Sequence, residues 1–198
     1  YENKYKNINI RQINSRSNIE TVCNLIKYDS VHGVFKEKIS FKNNYIRIGK
    51  QKIAYTQKSN LDEINWRRNK VDIVLECTGK FNSKDKLNKH IKNGAKKVLV
   101  SAPCKGSDRM VVYGINHKNI KKTDDIISAG SCTTNCLAPV VSVLNKNFKI
   151  LNGFMTTIHS YTSDQRLLDN SHKDPRRARS ASQSMVPTST GASKSIAD

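Results

Sequence analysis

Two apolar runs with a helical pattern between them constrain this chain most. "VDIVLECTG" (71–79) and "AKKVLVSAP" (95–103) each run into a turn, at Gly79 and at Ser101-Ala102-Pro103. Between them, "FNSKDKLNKHIKNGA" carries Leu87 and Ile91 at i, i+4, with Ser83 as a candidate N-cap and Gly94 as the stop. Strand, helix, strand at this spacing predicts a βαβ unit and buried parallel strands. "DDIISAG" (124–130) reads as a third strand of the same kind. An earlier helix is expected over 17–28, with Ile19, Val22, Cys23 and Ile26 on one face.

The texture changes at Gly153. "FMTTIHSYT" alternates, which predicts an extended strand with Met155, Thr157, His159 and Tyr161 on one face and Phe154, Thr156 and Ile158 on the other. A polar segment rich in Arg and Ser follows over 162–184. The boundary between the two textures is expected close to Cys132, giving a first domain over 1–131 and a second over 132–198. The fold class expected is α/β: a parallel-sheet domain, then a smaller α+β one.

The formal charge of +19, from 35 Lys+Arg against 16 Asp+Glu, raises the question of a nucleic-acid partner. The lysines are scattered, without interleaved aromatics or a helix-turn-helix signature, which favours a solvated basic surface that attracts small phosphorylated anions. No apolar run approaches the ~18 residues of a membrane span. The opening "YENKYKNINI" has neither an initiator Met nor the apolar core of a signal peptide, so a fragment of a longer, cytoplasmic protein is expected. Five cysteines, an odd number, favour free thiols in a reducing compartment over a disulfide framework. No paired C-x2-C elements complete a zinc site around Cys132 and Cys136, so no metal is expected.

"SAGSCTTNCLAPVVSVL" reads as strand end, tight turn and helix, with Cys132 at the helix start. Unpaired backbone N–H groups and the positive end of the helix dipole favour a thiolate there, and the same groups can hold a developing oxyanion. Cys136, one turn further on, suits a small buried residue. Cys132 does not, because Ser131, Thr133, Thr134 and Asn135 crowd it with polar groups. A thiol nucleophile needs a base, and of the five histidines only His159 lies mid-strand in an element expected to be ordered, flanked by Thr157 and Tyr161 on its own face.

"SCTTNCLAPV", "TTIHSYTSDQRLLD", "RRAR" and "PTSTGA", with "LIKYDSVHG", "VDIVLECTGKF", "GAKKVLVSAP" and "VVYGIN" upstream, resemble phosphorylating glyceraldehyde-3-phosphate dehydrogenase from about Ile10 to Ala197. The resemblance implies a Rossmann-type domain without its first Gly-rich turn and a truncated catalytic domain. It also implies Cys132 as nucleophile and His159 as base, with NAD or NADP accepting hydride. Ser131, Thr133, Thr190 and Gly191 would hold inorganic phosphate, and Thr162 the substrate phosphate, with Asp164 in the same element. The family's arginine for that phosphate falls beyond Asp198. Asn14, Ser15, Glu76-Cys77-Thr78-Gly79 and Ser101 fall where the family lines the cofactor. The segment 162–184 resembles the S-loop that meets a neighbouring subunit, which implies a homotetramer. Arg176, Arg177 and Arg179 fit loop ion pairs as well as they fit phosphate recognition.

Departures from the family pattern matter too. The family commonly has Ile-Asn-Asp where this chain has Ile13-Asn14-Ser15, and its NAD-specific members tend to have Leu-Pro where this chain has Asn170-Ser171. Losing the acidic residue removes repulsion of a 2′-phosphate, and Arg16 stands nearby, so NADP tolerance or dual specificity is expected. Ser128-Ala129-Gly130-Ser131 replaces the usual Ser-Asn-Ala-Ser, and Pro175 replaces a usual leucine. The nearest rival is erythrose-4-phosphate dehydrogenase, a sister family towards which "SASQSMVP" leans and away from which "TSTGA" leans. The rival from another class is a basic nucleic-acid-binding protein.

Overall fold

The computed structural model describes residues 7–192, so the expected end of the resemblance at Ala197 lies outside the described residues. The chain divides into two compact units: the first ends at Met110 and resumes over Ile120–Ala129, and the second comprises Val111–Asn119 and the chain from Gly130 onward.

In the first unit, β1 (Gln12–Asn14) leads to helix α1 (Ile19–Lys27), and a short hairpin of β2 (Tyr28–Asp29) and β3 (Gly33–Val34) follows. Then come β4 (Ile39–Lys42), β5 (Tyr45–Ile48) and β6 (Gln51–Thr56), and after them β7 (Ile73–Glu76), helix α2 (Lys84–Lys92), β8 (Lys97–Val100), β9 (Arg109–Met110) and β10 (Ile126–Ser128). Two four-stranded sheets result, one ordered β1-β6-β5-β4 and the other β7-β8-β10-β9. All three pairings of the second sheet are parallel, with Val74 opposite Val98 and Ile126 opposite the same Val98 on its other side. The parallel order of the three expected strands is therefore present. The β4–β6 meander was not apparent from the sequence, and it joins β1 through a parallel β1–β6 pairing.

Helix α1 starts where the Asn18 side chain accepts the Thr21 N–H at 2.7 Å. Its apolar stripe packs as expected: Cys23 is buried with Ile46, Ile48, Ile53 and Tyr55, and Ile19, Val22 and Ile26 pack against them. Helix α2 begins after Ser83, which occupies the N-cap position without a side-chain cap bond, and is closed by Gly94 at φ +107. A Cβ on Gly94 would lie 2.6 Å from the Arg67 Cβ, so close approach as well as backbone conformation requires glycine here. Leu87 of α2 is wholly buried against Val98, Val100 and Ile126, each such side chain stabilising the fold by about 1.5–3 kcal/mol.

Burial of the parallel strands is one-sided, which corrects the expectation. Val74, Glu76, Val98, Val100, Ile126 and Ser128 are buried, whereas Ile73 and Leu75 on the opposite face are 57% and 66% exposed. Parallel sheets bury both faces when crossover helices cover both; in this chain α2 covers one.

In the second unit, Cys132 opens the longest helix, α3 (Cys132–Phe148), which ends at Lys149 in a left-handed conformation. The strand expected over 153–161 does not form: residues 152–162 belong to no ladder or helix, and Phe154 and Ile158 are almost fully exposed. Alternation gives a face to a strand only when a neighbour supplies the hydrogen bonds, and no described segment pairs with this one. Cys136 is exposed, not the buried residue expected.

Candidate active site

Ser131 caps α3. Its hydroxyl accepts the Thr134 N–H at 3.0 Å and shares a 2.7 Å hydrogen bond with the Thr134 hydroxyl, and Asn135 donates its side-chain amide to the Ser131 carbonyl. Capping by the preceding serine places Cys132 at the first helical position, beside N–H groups that have no intrahelical acceptor. The Cys132 Sγ lies 3.1 Å from His159 Nε2, across 27 residues of sequence. On the far side of the ring, Nδ1 donates to the Ser160 carbonyl at 2.6 Å, which leaves Nε2 turned towards sulfur.

These contacts set the charges. The hydrogen bond to His159 holds the Cys132 thiol below its ordinary range, and the Thr133 N–H and hydroxyl add to the effect, against the opposing influence of partial burial. His159 is raised, first by its bond to the Ser160 carbonyl and then by Cys132. Opposite shifts on touching groups favour a thiolate–imidazolium pair, the arrangement that activates a cysteine nucleophile. Cys23 and Cys104 go the other way, since burial raises both thiols. Among the described cysteines the activating shift falls on Cys132.

The other residues singled out from sequence occupy local networks. Thr162 directs its N–H (2.6 Å) and hydroxyl (3.2 Å) at the Gln165 side-chain oxygen, and its own oxygen accepts the Asp164 N–H. Asp164 bonds Arg177 and lies 3.5 Å from His172. Arg176 pairs with Asp174 and Arg179 with Asp169, so all three loop arginines sit in ion pairs. The Ser171 carbonyl accepts two bonds from Arg166, at 3.1 and 2.8 Å. Thr190 accepts the Ala192 N–H at 3.3 Å, and Gly191 has open space where a Cβ would stand.

In the first unit, Asn14, Glu76 and Val100 end parallel strands, and Ser15, Thr78, Gly79 and Ser101 follow them closely. Carboxyl ends of parallel strands are where doubly wound folds bind ligands. Asn14 is committed to its own sheet: its Oδ1 accepts the Thr56 hydroxyl and the Lys58 N–H, and its Nδ2 donates to the Lys58 carbonyl. The Ser15 hydroxyl accepts the Ser17 N–H at 3.2 Å and keeps its hydrogen to donate. Gly79 has φ +69 with nothing near its Cβ position. The sequence reading missed Gln165 as the partner of Thr162, and it missed Trp66 and His90 behind Glu76. Gln165 stands three residues from Thr162, a turn-like spacing that could have indicated it.

Two family profiles match the chain. "Glyceraldehyde 3-phosphate dehydrogenase, NAD binding domain" covers residues 2–84, and "Glyceraldehyde 3-phosphate dehydrogenase, C-terminal domain" covers residues 131–198. The chain belongs to the glyceraldehyde-3-phosphate dehydrogenase family. It is 49% identical over 189 residues to the glyceraldehyde-3-phosphate dehydrogenase of Cereibacter sphaeroides, covering 96% of this chain and 56% of that protein. The protein of the same name from Mycoplasma pneumoniae is 49% identical over 192 residues, covering 96% and 57%. "Glyceraldehyde-3-phosphate dehydrogenase 2" of Staphylococcus epidermidis is 46% identical over 193 residues, with 96% and 57% covered. The chain thus spans a little over half the length of these relatives. Its Cys132–His159 pair lies within the span matched by the family's C-terminal profile, and the Rossmann-type parallel sheet lies in the unit that the NAD-binding profile overlaps. Among the described residues, no helix is long and apolar enough to cross a membrane.

Proposed function

We propose that the protein oxidises glyceraldehyde 3-phosphate with inorganic phosphate to 1,3-bisphosphoglycerate, using NAD or NADP. The observation that carries this reading is the 3.1 Å contact between the Cys132 sulfur and His159 Nε2 at the first residue of α3. The strand ends of the first unit suit a dinucleotide, because Asn14-Ser15, Thr78-Gly79 and Ser101 follow parallel strands and Gly79 leaves its turn open. When bound there, the nicotinamide would supply the two-electron acceptor.

The chain's own groups do the rest. The Cys132 thiolate adds to the aldehyde carbon, forming a C–S bond and a thiohemiacetal oxyanion near the N–H groups at the start of α3. His159 holds a proton at Nε2 for that oxygen and takes it back as the carbon is oxidised. The acyl group then stays on sulfur as a thioester. An oxygen of inorganic phosphate attacks it, the C–S bond breaks, and the acyl phosphate leaves as the thiolate is restored. Ser131, Thr133, Thr190 and Gly191 serve the attacking phosphate in this reading. Thr162 serves the substrate phosphate, since its N–H and hydroxyl converge on the Gln165 oxygen as they would on a phosphate oxygen. Asp164 holds Arg177 in the same loop.

The finer features belong to the proposal as well. Ser15, which keeps a hydrogen to donate, together with Ser171 and the exposed Arg16, supports acceptance of NADP and a role in gluconeogenesis beside glycolysis. A division near residue 131 into cofactor and catalytic domains, a homotetramer formed through the loop over 162–184, and a cytoplasmic setting suited to free thiols complete it. The test compares kcat/KM for NAD and NADP on the full-length protein, with Cys132→Ser as control. Turnover that depends on phosphate and is abolished in Cys132→Ser supports the reading. Faster turnover of erythrose 4-phosphate, or salt-dependent nucleic-acid binding without turnover, overturns it.

A further inference from the structure

Behind the turn that follows β7 lies a buried chain of hydrogen bonds that the reaction itself does not use. Trp66 Nε1 donates to His90 Nδ1 at 3.0 Å, and His90 Nε2 stands 3.2 Å from Glu76 Oε2. The other oxygen, Glu76 Oε1, accepts both the Thr78 N–H at 2.8 Å and the Thr78 hydroxyl at 2.5 Å. The His90 and Glu76 side chains are 2% and 5% exposed, and Trp66 is buried with Leu61, Ile64, Val74 and Ala95.

The order of donors along this chain admits one arrangement. An indole N–H can only donate, so His90 Nδ1 must accept and the ring hydrogen on Nε2 must face Glu76. A carboxylate is acceptor-only, so Oε2 takes that hydrogen while Oε1 is left for Thr78. The Thr78 hydroxyl spends its hydrogen inward and accepts the Lys80 N–H at 3.2 Å, which ties the turn on both sides of Gly79. The Glu76 carbonyl meanwhile accepts the Ser101 N–H at 3.0 Å, joining this turn to the one after β8. Every side-chain polar atom of this Trp66–His90–Glu76–Thr78 network has a partner, which is the condition under which such a network rigidifies what it touches.

We infer that Trp66 and His90, acting through Glu76, are positioning residues that hold the 77–79 turn in the shape that receives the dinucleotide. The inference rests on the reading that Thr78 and Gly79 face the cofactor. Neither Trp66 nor His90 touches reacting atoms; they fix the rotamer of Glu76, and Glu76 fixes the backbone of Thr78.

The experiment uses the full-length protein and the variants His90→Leu, His90→Gln and Trp66→Phe. NAD binding is measured by fluorescence titration, kcat at saturating NAD, and alkylation of Cys132 by iodoacetamide as a report on the nucleophile. His90→Leu should weaken NAD binding about tenfold, the loss of one charge-assisted hydrogen bond, with kcat and alkylation unchanged. His90→Gln, whose amide can accept from the indole and donate to the carboxylate, should restore most of the affinity. NAD binding at wild-type strength in folded His90→Leu overturns the inference, as does a folded His90→Gln no better than His90→Leu. Trp66→Phe keeps an aromatic ring but removes the N–H donor together with part of the indole's volume, and it covers the case in which the His90 variants do not fold. In it, hydrogen exchange at the Thr78 amide should quicken about tenfold through local opening, and an unchanged rate refutes the relay. If wild-type protein binds no dinucleotide, the functional reading fails, and that exchange rate alone decides whether the relay holds the turn.

Discussion

Replacing His159 by asparagine tests the pairing at the start of α3. The residue keeps a polar side chain but loses the ring nitrogen 3.1 Å from sulfur. An ordinary thiol is about 3% thiolate at pH 7, so complete ionisation raises reactivity at most about thirtyfold. That is a ceiling, because a more acidic thiolate is also a weaker nucleophile. His159→Asn should therefore slow iodoacetamide alkylation of Cys132 at pH 7 by up to about thirtyfold. The rate profile should also move towards higher pH, since the partner that lowers the thiol is gone. Turnover should fall further, by about 10²- to 10⁴-fold, because the same nitrogen also moves the substrate proton. The assay is alkylation rate against pH from 5 to 10, followed by mass spectrometry of the Cys132 peptide, beside kcat. Identical alkylation profiles for wild type and variant would refute the argument that His159 ionises Cys132. A turnover loss no larger than the alkylation loss would refute its second role as a base.

Three further outcomes concern stability, each read by chemical denaturation. Gly94→Ala places a Cβ 2.6 Å from the Arg67 Cβ at φ +107, and should destabilise by more than about 1 kcal/mol; a neutral result would show that the loop around Arg67 yields freely. Leu87→Ala empties the centre of the α2 cluster and should cost about 2–5 kcal/mol, with the lower end expected if α2 collapses onto the sheet. Asp108 accepts the N–H groups of Asp125 and Ile126, both at 2.9 Å, and pairs with Lys84. Burial opposes its charge, but these bonds outweigh it and lower its pKa. Its contribution is therefore present above the ordinary carboxyl range and is lost as pH falls through the depressed value. Asp108→Asn should cost about 1–3 kcal/mol at neutral pH and lessen the loss of stability on acidification; an acid limb like that of the wild type would contradict the assignment.

Features encoded within one or two turns of chain were legible in the sequence. Leu87 and Ile91 marked the inner face of α2, Gly94 marked its end, and the apolar runs at 73–76, 97–100 and 126–128 marked parallel strands, because periodicity and punctuation are local properties. Cys132 at a helix start was equally legible from Ser131 and the turn before it. Contacts between residues far apart in sequence were decided by tertiary structure. Alternation over 153–161 predicted a strand, yet a strand needs a neighbour to bond, and none of the described segments supplies one. One-sided burial of β7 and β8 depends on which helices cover the sheet, which their apolar runs do not encode. The Cys132–His159 contact spans 27 residues and the Trp66–His90 bond 24. Residue types alone made the first pair plausible as nucleophile and base, whereas Trp66, His90 and Glu76 share no local pattern. Only a folded backbone brings a lone indole donor, an imidazole and a carboxylate into line, because each hydrogen bond needs its partners within about 3 Å and correctly directed.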